Sequence, residues 1–205
     1  MPTPWRTALY KEIAKLELSG KAIDLGGSTK SGYHELIRGN CVIDTANIDR
    51  STGASLSFDL EHLFPIGNDT YDAALAVNVL EHIYDYRHVL EETFRIVKPG
   101  GRIAIGVPFI IQYHPSPQDY WRYSQEALRK VLFQAGWTNI EITPLGRGPC
   151  TASVQLMSGV MNIAPLRAFL TAWARVADAF LQMLAKRSLR EMYPLGYFVI
   201  ATKSL

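Results

Sequence analysis

Several things are scarce in this 205-residue chain, and each scarcity excludes something. Cysteine is rare: Cys41 and Cys150 stand alone and far apart. They form neither a CxxC pair nor a zinc spacing, which excludes a disulfide scaffold and points to a reducing compartment. Charge of one sign is not in excess. The 21 basic and 19 acidic residues leave a formal +2, and a dedicated nucleic-acid binder is expected to be far more basic. Long hydrophobic runs are missing too. The longest uncharged stretch, 148–166, is interrupted by Gly148, Pro149, Gly159 and Pro165, a poor composition for a membrane span. The opening Met1-Pro2-Thr3-Pro4-Trp5-Arg6 lacks the basic-then-apolar plan of a secretory signal. A cytoplasmic protein is the expectation.

What is present is ordinary for a folded domain. Apolar residues make up 48% and charged residues 20%, and the length suits one domain over 1–205. Short apolar strands are read at 21–25, 40–44, 55–58, 72–77, 102–107, 138–143 and 197–201. Helical spacing occupies 5–18, 33–38, 79–97 (with a break near Tyr84-Asp85) and 124–135, where Ser124 is the N-cap. Strands alternating with helices, apolar on both faces, predict an α/β fold: a doubly wound, Rossmann-like, mostly parallel sheet of seven strands.

The first strand runs straight into Gly26-Gly27-Ser28. Small residues at that corner let a ligand approach the backbone, although a tight turn alone has the same composition. Asp44 lies twenty positions after Asp24, where a carboxylate can hold a ribose diol; a plain turn residue is the alternative. Neither G-x-G-x-x-G nor GxxxxGK[ST] is present, so dinucleotide and nucleoside-triphosphate readings lose ground.

Taken in order, the motifs resemble class I S-adenosylmethionine-dependent methyltransferases of the "methyltransferase type 11" kind. Ala22-Ile23-Asp24-Leu25-Gly26-Gly27-Ser28-Thr29-Lys30 is similar to the family's D-L-G-C-G-T-K, with Ser28 where a glycine is usual. Phe58-Asp59-Leu60 with Phe64-Pro65 resembles "aDl…lPf". Asn78-Val79-Leu80-Glu81-His82 resembles "vLEH", and Arg95 to Gly101 resembles "r.LkPGG". The resemblance covers about residues 20–143 and the final strand. It implies S-adenosylmethionine as methyl donor, leaving as S-adenosylhomocysteine. Asp24, Gly26, Gly27, Ser28, Asp44, Asp59 and Asn78 are the implied cofactor residues.

Residues 113–123 resemble the "HP.P.DYWRyt" loop of a subgroup associated with surface glycans and secondary metabolites. His114 is the candidate general base, or else a loop histidine bonded to backbone. Asp119 is placed in the catalytic set beside it. Asp119 with Arg122 can equally form an ion pair that fixes the loop. Tyr113, Tyr120, Trp121 and Arg122 are the candidate acceptor contacts, though some of these aromatics can be core. The expected reaction moves a methyl group to an oxygen, or second to a nitrogen, of a small molecule or a glycan or lipid-linked precursor. A non-catalytic scaffold subunit of the same fold is the alternative. The five histidines show no HExxH or other close ligand cluster, so no metal is expected.

Residues 144–195 stand outside the common pattern as a helical insertion before the last strand. Leu166, Leu170, Trp173, Ala177, Phe180 and Leu184 recur at 4-3-4-3-4 spacing and predict one helix of about 25 residues. Arg167, Arg175, Lys186 and Arg187 lie on its other face. A lid, a homodimer surface and peripheral membrane contact through 165–189 stay open, beside simple packing on the domain.

Overall fold

A computed structural model describes residues 2–161 and 163–205. Thr3 caps a first helix, α1 (Pro4–Ile13), with Pro4 at the position where a missing N–H costs nothing. β1 (Gly20–Leu25) and β2 (Cys41–Ala46) follow, then β3 (Tyr71–Val77), α2 (Tyr86–Ile96) and β4 (Val97–Pro108). The chain continues through α3 (Gln125–Gln134), β5 (Trp137–Leu145), α4 (Pro149–Met157), α5 (Ala164–Leu184), a single turn α6 (Leu189–Met192) and β6 (Gly196–Lys203).

The sheet order is β2-β1-β3-β4-β6-β5. The first four strands are parallel; β6 runs antiparallel between β4 and β5. The sheet is thus Rossmann-like and mostly parallel as expected, but with six strands. The expected strand at 55–58 makes a single parallel bridge, Leu56 to Ala46, and goes no further. Its serines explain this: Ser55 Oγ accepts from the Thr45 N–H, spending on a side chain what a ladder needs from backbone.

Alternation along the strands divides the core. Ile23, Leu25, Ile103 and Ile105 face α2 and α3; Ala22, Ala73, Leu75 and Ala104 face α1. The row of alanines lets α1 lie close, with Leu9 and Ile13 fully covered.

Two helices come out shorter than expected. α1 stops at Ile13, and Leu16 reaches the core from the following turn. The expected helix at 33–38 is one 3-10 turn, His34–Leu36. The break at Tyr84-Asp85 is real: a 3-10 turn at Leu80–His82 precedes α2, whose N-cap is Asp85. Ser124 caps α3 by accepting from the Ala127 N–H. The predicted 25-residue helix is the 21-residue α5, preceded by the separate α4.

Candidate functional site

Parallel strands β1 to β4 end on one edge: Leu25 is level with Ala46 and Ala76, and Val77 with Gly106. The chain leaves β1 toward β2 on one side and returns as β3 on the other. That switch point between β1 and β3 is where an open α/β sheet receives its ligand. Gly26 and the Asn78-Val79 corner sit there.

The two glycines are required by what lies against them. Gly26 has φ +75°, and a Cβ on it would lie 2.6 Å from Val79 Cγ2. A Cβ on Gly27 would lie 2.1 Å from Asp24 Oδ2. Asp24 is fully buried beneath the turn. Its Oδ2 accepts from the Tyr33 hydroxyl at 2.7 Å and lies 2.7 Å from His34 Nε2. Burial pushes the Asp24 carboxyl up, and the bonds from His34 and Tyr33 work against that rise. These contacts serve to orient the loop. Ser28 is not among the residues of positive φ, so its Cβ strains nothing. Its hydroxyl accepts from the Lys30 N–H at 3.2 Å and its own N–H donates to Ser31 Oγ at 3.0 Å, closing a tight turn.

Asp44 does not join this group. It stands three residues before Asn47, roughly 10 Å down a strand rising 3.3 Å per residue. Its Oδ2 accepts from the Tyr71 hydroxyl at 2.8 Å and pairs with Lys21 Nζ at 2.9 Å. Partial burial alone would raise its pKa, but the Lys21 and Tyr71 bonds outweigh that and hold it below the usual range. The twenty-residue spacing thus falls on a carboxylate tied to Tyr71 and Lys21 within the sheet. Counted from the glycine turn rather than from Asp24, it reaches the end of β2. There Asn47 Nδ2 donates to the carbonyls of Gly26 (3.0 Å) and Gly27 (3.1 Å). Asp49 follows on an exposed loop whose Thr52 carbonyl accepts from the Thr29 hydroxyl of the turn. One Asp49 oxygen accepts from the Ser51 N–H, and the Ser51 side chain first and this N–H second hold the carboxyl below its ordinary pKa.

Asp59 lies beyond the Leu56 bridge. It caps its own turn through the Glu61 N–H at 2.9 Å and faces His62 Nδ1 at 3.3 Å. Asn78 has φ 51° and forms the corner after β3, its Oδ1 accepting from Trp5 Nε1 at 2.9 Å.

The loop after β4 is laced to the Leu80–His82 turn. The N–H groups of Tyr120 and Trp121 both donate to the Glu81 carbonyl, and Tyr123 donates its hydroxyl to the Leu80 carbonyl. Trp121 Nε1 donates to Ile83 O at 3.0 Å, and its ring packs against Tyr84 and Tyr86. Trp121 is therefore an anchor of the loop, whereas Tyr113 and Tyr120 are exposed. Arg122 forks onto Asp119 at 2.5 and 2.7 Å, and the same carboxylate accepts from the His114 N–H at 2.9 Å. Arg122 holds the Asp119 carboxyl far below its usual pKa. The pair fixes the loop.

Under that loop lies a carboxylate that sequence reading did not single out. Glu81 is 0% exposed, and neither oxygen has a hydrogen-bond partner among the described residues. Its Oε1 faces His82 Nε2 and His114 Nε2, each at 3.8 Å. His114 Nδ1 faces Asp119 at 3.4 Å, and His82 Nδ1 lies 2.6 Å from Gln118 O. The adjacent Glu81 is the largest cause raising the His114 pKa; burial opposes it and Asp119 adds to it. The expectation of no close ligand cluster is corrected here, since Glu81, His82 and His114 offer atoms within 4.8 Å of one another. Their spacing hid it, because His114 arrives from the next strand's loop.

Comparison with known proteins agrees with this geometry. Residues 9–105 match the family model described as a methyltransferase domain. That stretch, just under half of the chain, is thus similar to a methyltransferase domain of the class I, S-adenosylmethionine-dependent kind. The domain resembles the O-methyltransferase rstn1 of Aspergillus nomiae, 30% identical over 91 residues, covering 40% of each chain. The O-methyltransferase cnsE of Penicillium expansum is 28% identical over 92 residues, 40% of this chain and 33% of that one. These matches span less than half the length of those curated relatives. In fold, the chain resembles an S-adenosylmethionine-dependent methyltransferase from Archaeoglobus fulgidus, with TM-score 0.62 and 15% identity over 97% of this chain and 92% of that one.

Proposed function

We propose that this methyltransferase domain moves a methyl group from S-adenosylmethionine to a hydroxyl oxygen of a small-molecule or glycan acceptor. The observation that carries the proposal is the cradle at the β1/β3 switch point. Two positions there admit no Cβ, Asp24 supports them from below, and Asn47 ties the turn to the end of β2. Those residues suit an adenosyl amino acid: backbone of Gly26 and Gly27 for its methionine part, Asp49 for the ribose diol, Asp59 for the adenine amine. S-adenosylmethionine, when bound, supplies an electrophilic methyl on a sulfonium that leaves as the thioether of S-adenosylhomocysteine.

The protein's part is alignment and proton removal. The acceptor lies against the loop at 109–123, with exposed Tyr113 and Tyr120 offering ring faces to a sugar or aromatic ring. A C–O bond forms as the C–S bond breaks, and the hydroxyl proton passes to the His114 ring. Glu81, buried 3.8 Å from its Nε2, stabilises the imidazolium. Oxygen is favoured over nitrogen because the matched curated relatives are O-methyltransferases.

Thermal unfolding with S-adenosylhomocysteine tests the cofactor assignment. Ligand at a hundred times its Kd is expected to add about 2.7 kcal/mol. Asp49→Asn is expected to weaken binding roughly 10- to 100-fold, the cost of a lost bond to a charged group. Asp44→Asn is expected to lower stability and leave affinity alone. No shift in the wild-type protein favours the scaffold alternative, and the reverse ranking of the two variants restores Asp44 to the ribose.

A further inference from the structure

Glu81 differs from the other buried acids. Asp24 accepts from the Tyr33 hydroxyl, Glu92 from the Phe64 N–H, and Asp178 from the Cys150 and Thr151 N–H groups of the α4 N-terminus. Glu81 is as deeply buried, yet neither of its oxygens meets a donor among the described residues. A buried carboxylate left bare is strongly unfavourable unless a cation meets it. Arg122, the guanidinium of the same loop, is already committed to Asp119.

The two imidazoles beside Glu81 are turned as ligands. His82 Nδ1 lies 2.6 Å from the Gln118 carbonyl. A carbonyl only accepts, so Nδ1 carries the proton and Nε2 presents a lone pair. His114 has the same arrangement: Nδ1 faces the Asp119 carboxylate at 3.4 Å, and Nε2 points inward. Both Nε2 atoms lie 3.8 Å from one oxygen, Glu81 Oε1, too far for a hydrogen bond. A single proton can answer one of those two gaps; an ion between the three atoms answers both. An imidazole whose outer nitrogen is held by a carbonyl or carboxylate is the usual setting of a metal-bound histidine.

We propose that Glu81, His82 and His114 bind a divalent transition-metal ion of the zinc kind. Their ligand atoms lie within 4.8 Å of one another. A tetrahedral ion with bonds of about 2.0–2.2 Å sets its ligands roughly 3.3–3.6 Å apart, so the rings draw inward on binding. Two imidazoles and a carboxylate leave a fourth position open. Nitrogen donors select zinc-like ions over magnesium or calcium, which take oxygen. The frame is braced: the Tyr120 and Trp121 N–H groups both donate to the Glu81 carbonyl, and the Leu80–His82 turn holds Glu81 and His82 side by side. Glu81 closes the inner side, whereas the His114 side chain is 30% exposed, so the fourth position opens outward at the acceptor loop. The binding rests on these contacts alone. Its effect on turnover rests on the methyltransferase reading. The ion takes the His114 Nε2 lone pair that would accept the hydroxyl proton, so the loaded and proton-accepting states exclude one another, and the ion switches off transfer through His114.

The test is dialysis of the chain against chelator, then titration with Zn²⁺ and Co²⁺. The expected result is one ion per chain at micromolar free ion, the visible bands of tetrahedral Co²⁺, and a raised unfolding midpoint. Mg²⁺ should not displace the ion. Glu81→Gln and His82→Gln should each abolish binding, with the unfolding midpoint in chelator showing that the variants fold. X-ray absorption on the loaded wild-type chain should give two imidazole nitrogens and a carboxylate oxygen, a readout that needs no variant. The proposal is overturned by no binding at micromolar ion, by binding that survives both variants, or by a sulfur ligand, which would move the ion to Cys41 or Cys150. In a turnover assay the ion should inhibit and chelator should restore. Activation by the ion would keep the site and remove His114 as the base instead, so the two readings fail separately.

Discussion

The two ends of the sheet use the same residue types in opposite senses. Around the glycine turn, apolar residues point inward on both faces of β1 and β3, and the carboxylate buried there, Asp24, lies under a ligand corner. In the insertion, α5 turns its carboxylate and small residues inward and its aromatics outward. Both regions bury an aspartate: Asp24, bonded to the Tyr33 and His34 side chains, supports a turn, and Asp178, accepting from backbone N–H groups, closes a helix end. The difference is what remains exposed. At the switch point it is polar backbone suited to a small ligand; on α5 it is an apolar face. A buried polar group can thus decide orientation where the hydrophobic pattern alone would choose otherwise.

The largest effects should separate the two regions. Asp178→Ala leaves the Cys150 and Thr151 donors without their acceptor, an expected loss of about 2–4 kcal/mol. It should leave affinity for S-adenosylhomocysteine unchanged in the folded fraction. Gly27→Ala should do the reverse. The new Cβ displaces Asp24 or the turn, overpacking worth about 1–3 kcal/mol, and ligand-induced stabilisation should vanish. Equal loss of ligand binding in both variants would mean that the insertion belongs to the cofactor site, and the comparison would fail.

A second test uses His114 in chelator-treated protein. Its folded pKa is raised above the ordinary 6.5. As a base it works neutral, so turnover should rise with pH through that raised value. Stability should move the other way. A raised folded pKa contributes stability that is complete below 6.5 and is lost as pH rises through the folded value. Glu81→Gln should shift the activity midpoint down, toward the ordinary histidine range, because the largest cause of the rise is gone. An unmoved midpoint would remove His114 from the proton path.

Much of the fold was legible because local pattern and tertiary contact agree there. β3 reads apolar from Ala73 to Val77 and is buried there on both faces; Ser124 reads as a cap and is one. The strand at 55–58 failed because serine hydroxyls compete for the backbone. The site was legible where the motif itself forms the cradle, at Gly26 and Gly27. Asp44 was reached by a spacing rule that counts residues, and the structure ties it to Lys21 and Tyr71 within the sheet. Asn47, at the strand's last bend, was the available signal. Glu81 was quoted in a motif without a role, because its partner His114 is a chain neighbour only through the sheet. The outward aromatics of α5 were seen as a stripe, but no periodicity states which way a stripe faces.

The smallest effect sharpens the cofactor end of the comparison. Ser28 stands where the family usually has glycine. It does not occupy positive φ, and its hydroxyl is held by the Lys30 N–H. Restoring glycine therefore removes one exposed bond and adds chain entropy to the unfolded state, together about 0.5–1 kcal/mol of lost stability. Affinity for S-adenosylhomocysteine should stay within about twofold, since no strain is relieved. A Ser28→Gly variant that gains tenfold or more in affinity would show that the serine obstructs the cradle.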